Sequence, residues 1–245
     1  MEKILLPNRL TVSDGSNPNE KIIIIEPFYY GYGTTVGNSL RRVLLSSLAG
    51  AAITAVKING VSHEFATLDG VKEDALEIIL NLKGVRLISH SDSPVKLSLK
   101  TSGEKVVTAA DFEKSSDIEI VTQQHKIATL TSPKAKFELE VTIEKGRGYS
   151  PTEERETPSD IGTIAIDAIF SPIRNVGYKI ENTRVGDITN YDKLILTIES
   201  DGTVKPETAV KESVNILLEQ FNFILENIEG SPSTNSEPEA EQKTE

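Results

Sequence analysis

The chain reads as an α+β protein of two domains, one of them discontinuous, and three observations lead there. An apolar stripe of helical period lies near each end of the 245 residues. Strict period-2 alternation dominates the middle. Strand-like segments also abut both terminal helices, so the two ends together supply a sheet backed by two long helices. The discontinuous domain is expected to span 1–49 and 174–229, and the mostly β insert 50–173. Residues 230–245, rich in Glu, Ser and Pro, read as a disordered acidic tail. The length suffices for two ordinary cores.

Taken in order, "KIIIIEPF" (21–28) is a β-branched run that predicts a strand buried on both faces. Val36, Leu40, Val43, Leu44 and Leu48 then recur at i, i+4, i+7, i+8 and i+12, which predicts a helix with Thr35 as N-cap and Gly50 as its stop. "AITAVKING" predicts a strand ending at the Asn59-Gly60 turn. Val71, Ala75, Ile78, Ile79 and Leu82 share one helical face, closed by Gly84. "PVKLSLK" and "KFELEVTIEK" alternate as strands, the second with one face exposed. Residues 146–160 read as a long polar surface loop. "IGTIAIDAIFSPI" returns to buried strand, and "VGYKIENTRV" and "KLILTIES" predict a strand pair before the Asp201-Gly202 turn. Pro206 opens the last helix. Val210, Val214, Leu217, Leu218, Phe221, Ile224, Leu225 and Ile228 form its wide apolar stripe.

Composition narrows the function. A net charge of −11 repels a phosphate backbone, and basic residues gather only locally, at Arg41-Arg42, Lys134/Lys136 and Lys145/Arg147. Direct DNA binding is therefore not expected. The chain has no cysteine, which excludes disulfides and thiolate metal sites. There is no apolar run of about 20 residues and no secretory h-region, so no membrane association is expected and the cytoplasm is the expected location. His63, His90 and His125 lie far apart in sequence, and Asp111, Asp117 and Asp187 do not cluster, so no metal or other cofactor is expected in this chain. No Gly-x-Ser-x-Gly nucleophile elbow occurs.

The stretch "FYYGYGTTVGNSLRRVLLSSLAG" (28–50) leaves two readings. Gly31, Gly33 and Gly37 at the mouth of a helix suggest a phosphate loop, and hence a nucleotide-binding enzyme. Yet the third fingerprint position is Val36, with Gly37 one residue late, and no Lys follows as a P-loop requires. A small residue there also permits close approach of another backbone. Arg41 and Arg42 lie off the apolar stripe, either as a solvated face or as guanidinium groups aimed at a partner.

The same residues carry a resemblance. The string from Glu26 to Ser47 is similar to the signature of the bacterial RNA polymerase alpha-subunit family, in its N-terminal assembly domain. "INGVSHEF", "GVKEDALEIILNLKGV", "VTAADF", "EKGRGYSP", "IDAIFSPI" and "YDKLILTIESDGTVKPETAV" follow in the family's order, so the resemblance covers nearly all of 1–229. It implies a homodimer that serves as the assembly platform for the catalytic beta and beta-prime subunits during transcription of DNA into RNA. It implies a non-catalytic role, with the Mg²⁺ of the enzyme on beta-prime. The two helices would form the dimer interface through Val36, Leu40, Val43, Leu44, Leu48, Val214, Leu217, Leu218, Phe221, Ile224 and Leu225. Beta contact falls on Arg42, Leu45 and Glu77, and beta-prime contact on Lys83, Ile166, Ile173 and Lys193. The family's C-terminal DNA-binding domain has no counterpart in the acidic tail, and the expectation is a naturally short alpha, with a removed domain or one encoded elsewhere as the alternatives. A stand-alone decoy that dimerises and caps beta is the remaining alternative, separated from a working subunit only by its retained Arg42, Lys83 and Lys193.

Overall fold

The computed structural model describes residues 4–155, 160, 162–186 and 188–228. The chain opens with strands β1 (Arg9–Asp14) and β2 (Glu20–Phe28), then helix α1 (Tyr32–Ser46). Strand β3 (Ala49–Ile58) leads into the insert, followed by helix α2 (Ala75–Lys83) and strands β4 (Leu87–Ser89), β5 (Val95–Ser102), β6 (Lys105–Thr108), β7 (Ile118–Ile120), β8 (Lys126–Leu130) and β9 (Lys136–Arg147). Short strands β10 (Tyr149–Ser150), β11 (Thr163–Ala165) and β12 (Ala168–Ile169) come next. The long hairpin β13 (Ile173–Val185) and β14 (Ile188–Ser200) and helix α3 (Pro206–Asn227) close the described chain. The architecture is mixed α+β, with antiparallel sheets and helices, as the alternation and stripes predict.

Two cores form. One lies between an antiparallel sheet of order β1-β2-β14-β13 and the helices α1 and α3. Ile23, Leu40, Leu44, Leu48, Val176, Leu194, Leu196 and Ile198 fill it. The other lies inside the insert, where the sheet β5-β9-β3-β4-β7, with β11 on β3, packs against α2. Alternation along β9 sends Phe137, Leu139, Val141 and Ile143 inward. The chain passes between the cores at Leu48 and again between Ile166, which belongs to the insert core, and Ile173, which belongs to the other. Phe170 fills the junction. A Cβ on Gly50 would stand 1.8 Å from its carbonyl oxygen, so only glycine fits there. Arg86 Nε lies 3.7 Å from the buried carboxylate of Asp201, tying the insert to the turn after β14.

Several expectations are corrected. Helix α1 starts at Tyr32, not after Thr35; Gly31, at φ 84°, is its N-cap, and it ends at Ser46, while Gly50 lies in β3. Helix α2 is capped by the Asp74 carboxylate, which accepts the Glu77 N–H, and Val71 lies outside it, bridged to Leu130. In β2 only one face is sealed: Ile22 and Ile24 are half-buried on the open face of the sheet. The 146–160 loop is partly ordered by β10 and a 3-10 turn at Thr152–Glu154. β1 is an addition to the expected elements: Leu10 and Val12 alternate with polar residues in "RLTVSD", but every residue of it is exposed and it is held by pairing with β2. The tail 230–245 lies outside the described residues, as do 156–159 of the loop.

Candidate subunit interface

The glycine-rich entry to α1 binds a carboxylate from its own chain. Asp192 on β14 is buried, and its Oδ2 accepts the N–H groups of Gly31 at 2.9 Å and Gly33 at 3.1 Å. These are the orphan donors at a helix start, where the backbone dipole favours negative charge. The site a phosphate would need is thus already filled, and the nucleotide-binding alternative falls. The glycines serve close packing: a Cβ on Gly37 would stand 2.8 Å from Leu194 Cδ1 and 3.1 Å from Tyr178. Helix α1 lies down on β13 and β14 because these positions carry no side chain.

With α1 seated this way, its stripe divides. Leu40 and Leu44, and Leu48 just beyond the helix, are buried against the chain's own sheet. Val36 and Val43 remain half-buried. Arg41 and Arg42 face solvent and form no ion pair among the described residues; Leu45 is half-buried one turn on. On α3, Leu217 packs against the core, while Val214, Leu218, Phe221, Ile224 and Leu225 are exposed, together with Phe223 and Ile228. Exposure of Leu225 reaches 71%, and over the last two turns the apolar side chains have no cover.

The second group of expected contacts lies on the insert. Glu77 and Lys83 project from α2, Glu77 exposed and Lys83 half-buried. Lys83 Nζ donates to Asp167 Oδ2 at 2.9 Å, and Asp167 Oδ1 accepts the Thr152 N–H at 3.0 Å. The Lys83 ammonium first, and the Thr152 amide with it, hold the Asp167 carboxyl below its ordinary value. Ile166 and Ile173 are 1% and 4% exposed and sit inside the two cores. The expected segment alternates: 166, 168 and 170 point in, and 167, 169 and 171 point out. Lys193 follows Asp192, so it lies on the opposite, open face of the sheet, 3.4 Å from Glu181. It is not brought together with Lys83.

What the structure does bring together is the end of α1 and the insert. Ser171 Oγ donates to the Leu45 carbonyl at 3.2 Å, and the Ser46 carbonyl stands over Gly148. Asp167, Ser171 and Asp192, none of them expected from sequence, are the residues that hold the expected contacts in place. For Asp167 and Ser171 the two-residue period of "IDAIFS" is the signal; for Asp192 there is none, because its partners lie 159 and 161 positions away. Among the described residues no three His, Asp or Glu side chains are grouped as metal ligands, and no helix is long and apolar enough to cross a membrane.

Comparison with known proteins agrees with this geometry. Residues 56–171 match the family model described as the RNA polymerase Rpb3/RpoA insert domain. The chain is 49% identical over 202 residues to the DNA-directed RNA polymerase subunit alpha of Herpetosiphon aurantiacus, covering 82% of this chain and 61% of that one. It is 50% identical over 202 residues to the same subunit of Roseiflexus castenholzii, covering 82% and 62%. With that of Oceanobacillus iheyensis it shares 46% identity over 226 residues, covering 92% and 72%. The chain thus spans about three fifths of the length of the first two relatives.

Proposed function

The chain belongs to the bacterial DNA-directed RNA polymerase alpha-subunit family, and from that premise we propose that it is the alpha subunit of such an enzyme, a homodimer on which beta and then beta-prime assemble. In this reading it works in the cytoplasm and contributes no catalytic group. The Mg²⁺ chemistry resides on beta-prime, and this chain does not itself grip DNA. Arg42, Leu45 and Glu77 meet beta; Lys83 and Lys193 meet beta-prime, while Ile166 and Ile173 support those surfaces from behind.

One observation carries the proposal: the uncovered stripe of α3. Burying a large apolar side chain contributes roughly 1.5–3 kcal/mol. The six exposed residues of the stripe, Val214, Leu218, Phe221, Ile224, Leu225 and Ile228, are 38–74% exposed, so covering them contributes on the order of 5–10 kcal/mol. A stripe of this size is outside what a monomer ordinarily leaves in water. Its match is the same stripe on a second copy, since an isologous interface pairs one patch with itself. Sedimentation or light scattering tests this directly. The chain is expected to run at twice its monomer mass, and Phe221→Glu at the monomer mass with its circular dichroism unchanged. A monomeric wild-type chain at micromolar concentration contradicts the reading.

A further inference from the structure

We propose that Asn59 is a site of spontaneous modification, at which the turn after β3 converts its own amide side chain to aspartate and isoaspartate. Asn59-Gly60 is the one Asn-Gly pair in the sequence, and the fold leaves it open to this reaction. The turn closes through the Val61 N–H, which donates to the Ile58 carbonyl at 3.1 Å. Gly60 takes φ 86°, and a Cβ there would meet nothing within 4 Å. Its backbone conformation, and not a close neighbour, is what asks for glycine. Asn59 and Gly60 are both exposed, and they border an open recess of about 560 Å³ beside β9, so water reaches the turn.

The reaction needs a nucleophile and an electrophile on adjacent residues. The nucleophile is the Gly60 backbone nitrogen. Its N–H donates to no acceptor among the described residues, so no hydrogen bond has to break before it gives its proton to solvent base. The electrophile is Cγ of Asn59. That residue is fixed at the strand end: its N–H donates to the Glu138 carbonyl at 2.9 Å, and its Nδ2 stands 3.5 Å from Glu138 Oε2. Gly60 brings no side chain to shield its nitrogen. The nitrogen bonds to Cγ, the Cγ–Nδ2 bond breaks, and Nδ2 leaves as ammonia with protons drawn from water. Water then opens the cyclic imide. Addition at Cγ yields aspartate; addition at the backbone carbonyl carbon yields isoaspartate, with the chain rerouted through the former side chain. No oxidant, reductant or cofactor enters, and the net change is hydrolysis of one amide.

Either product disturbs the pairing of two inner strands of the insert sheet. Asn59 continues the β3–β9 ladder one residue beyond the Ile58–Leu139 pair. An aspartate there sets a carboxylate where Nδ2 stood, opposite Glu138, and like charges directly opposite are destabilising. Isoaspartate adds a methylene to the backbone and breaks the register that brings the Asn59 N–H to Glu138. The helix α1 holds the contrasting case. Asn38 is also exposed and is also followed by a small residue, Ser39. It lies inside α1, where the Ser39 N–H is committed to the helical ladder.

The test ages the whole purified chain in warm, mildly alkaline buffer and maps its tryptic peptides by mass spectrometry, with an unaged sample as the blank. Trypsin releases Asn59 in residues 58–72 and Asn38 in residues 22–41, each the one amide side chain of its peptide. The 58–72 peptide is expected to gain one mass unit at least tenfold faster than the 22–41 peptide, and faster again as pH rises. Electron-transfer fragment ions are expected to place both aspartate and isoaspartate at residue 59. Gly60→Ala, which crowds the attacking nitrogen, is expected to slow the gain at least tenfold. Asn59→Gln, which requires a larger ring, is expected to slow it as much, and it decides alone if Gly60→Ala distorts the turn. A 58–72 peptide that stays unconverted in the folded chain overturns the proposal, and so does one that converts only when the chain is unfolded in urea. Conversion of Asn38 as fast as Asn59 overturns it as well, because the turn would then confer nothing.

Discussion

Replacing Asp192 tests how the glycine-rich segment is organised. In Asp192→Ala the N–H groups of Gly31 and Gly33 lose the carboxylate they share at 2.9 and 3.1 Å. A hydrogen bond to a charged group contributes about 1.5–3 kcal/mol. The favourable placement of a carboxylate at a helix N-terminus adds about 0.3–1 kcal/mol. Water reaches exposed Gly31 but not buried Gly33, so one of the two donors is left without full compensation. The expected loss is about 3–4 kcal/mol for Ala, and about 1–2 kcal/mol for Asn, which keeps an acceptor oxygen but no charge. Urea unfolding at fixed protein concentration reads this as a lower midpoint with an unchanged slope. Calorimetric titration of the same variants with ATP is expected to show no binding heat. An Asp192→Ala chain within 0.5 kcal/mol of wild type refutes the argument, because the helix start would then be held by something other than this carboxylate.

Two more substitutions probe the packing. Gly37→Ala places a methyl 2.8 Å from Leu194 and is expected to destabilise by about 1–3 kcal/mol through overpacking. Gly177→Ala, on β13 with open space around it, is expected to stay within about 0.5 kcal/mol of wild type; thermal melts separate the two. Glu73 contributes to acid sensitivity. Its burial acts to raise its pKa, but Lys126 at 2.7 Å, together with the Thr129 N–H and hydroxyl, outweighs it and leaves the pKa lowered. Because the folded pKa lies below the unfolded one, the contribution is fully present above the unfolded value of about 4.3 and is lost as pH falls from there through the folded value. Glu73→Gln is therefore expected to flatten the stability-versus-pH curve below about pH 5, and an unchanged curve contradicts the assignment.

Much of the fold was legible because the side-chain periods are strict. The alternation of β9, the β13–β14 pair with its Asp201-Gly202 turn, and the stripes of α1 and α3 all appear where the spacing puts them. Periodicity identifies an apolar face but not what covers it. Leu44 and Leu225 both fall on apolar stripes, yet one is fully buried in its own core and the other 71% exposed. The start of α1 was not legible, because a run with Gly31, Gly33 and Gly37 has low helix propensity and its cap comes from a strand far along the chain. Ile166 and Ile173 were chosen by resemblance; the two-residue period of their own segment buries 166, 168 and 170 and leaves 169 exposed.

The central claim is assembly, and co-expression of the tagged chain with beta and beta-prime measures it most directly, with the mass of the purified complex read by native mass spectrometry. The account predicts two copies of this chain with one beta and one beta-prime, and, for Arg42→Ala, a dimer that no longer carries beta. A wild-type chain recovered with neither large subunit would contradict it.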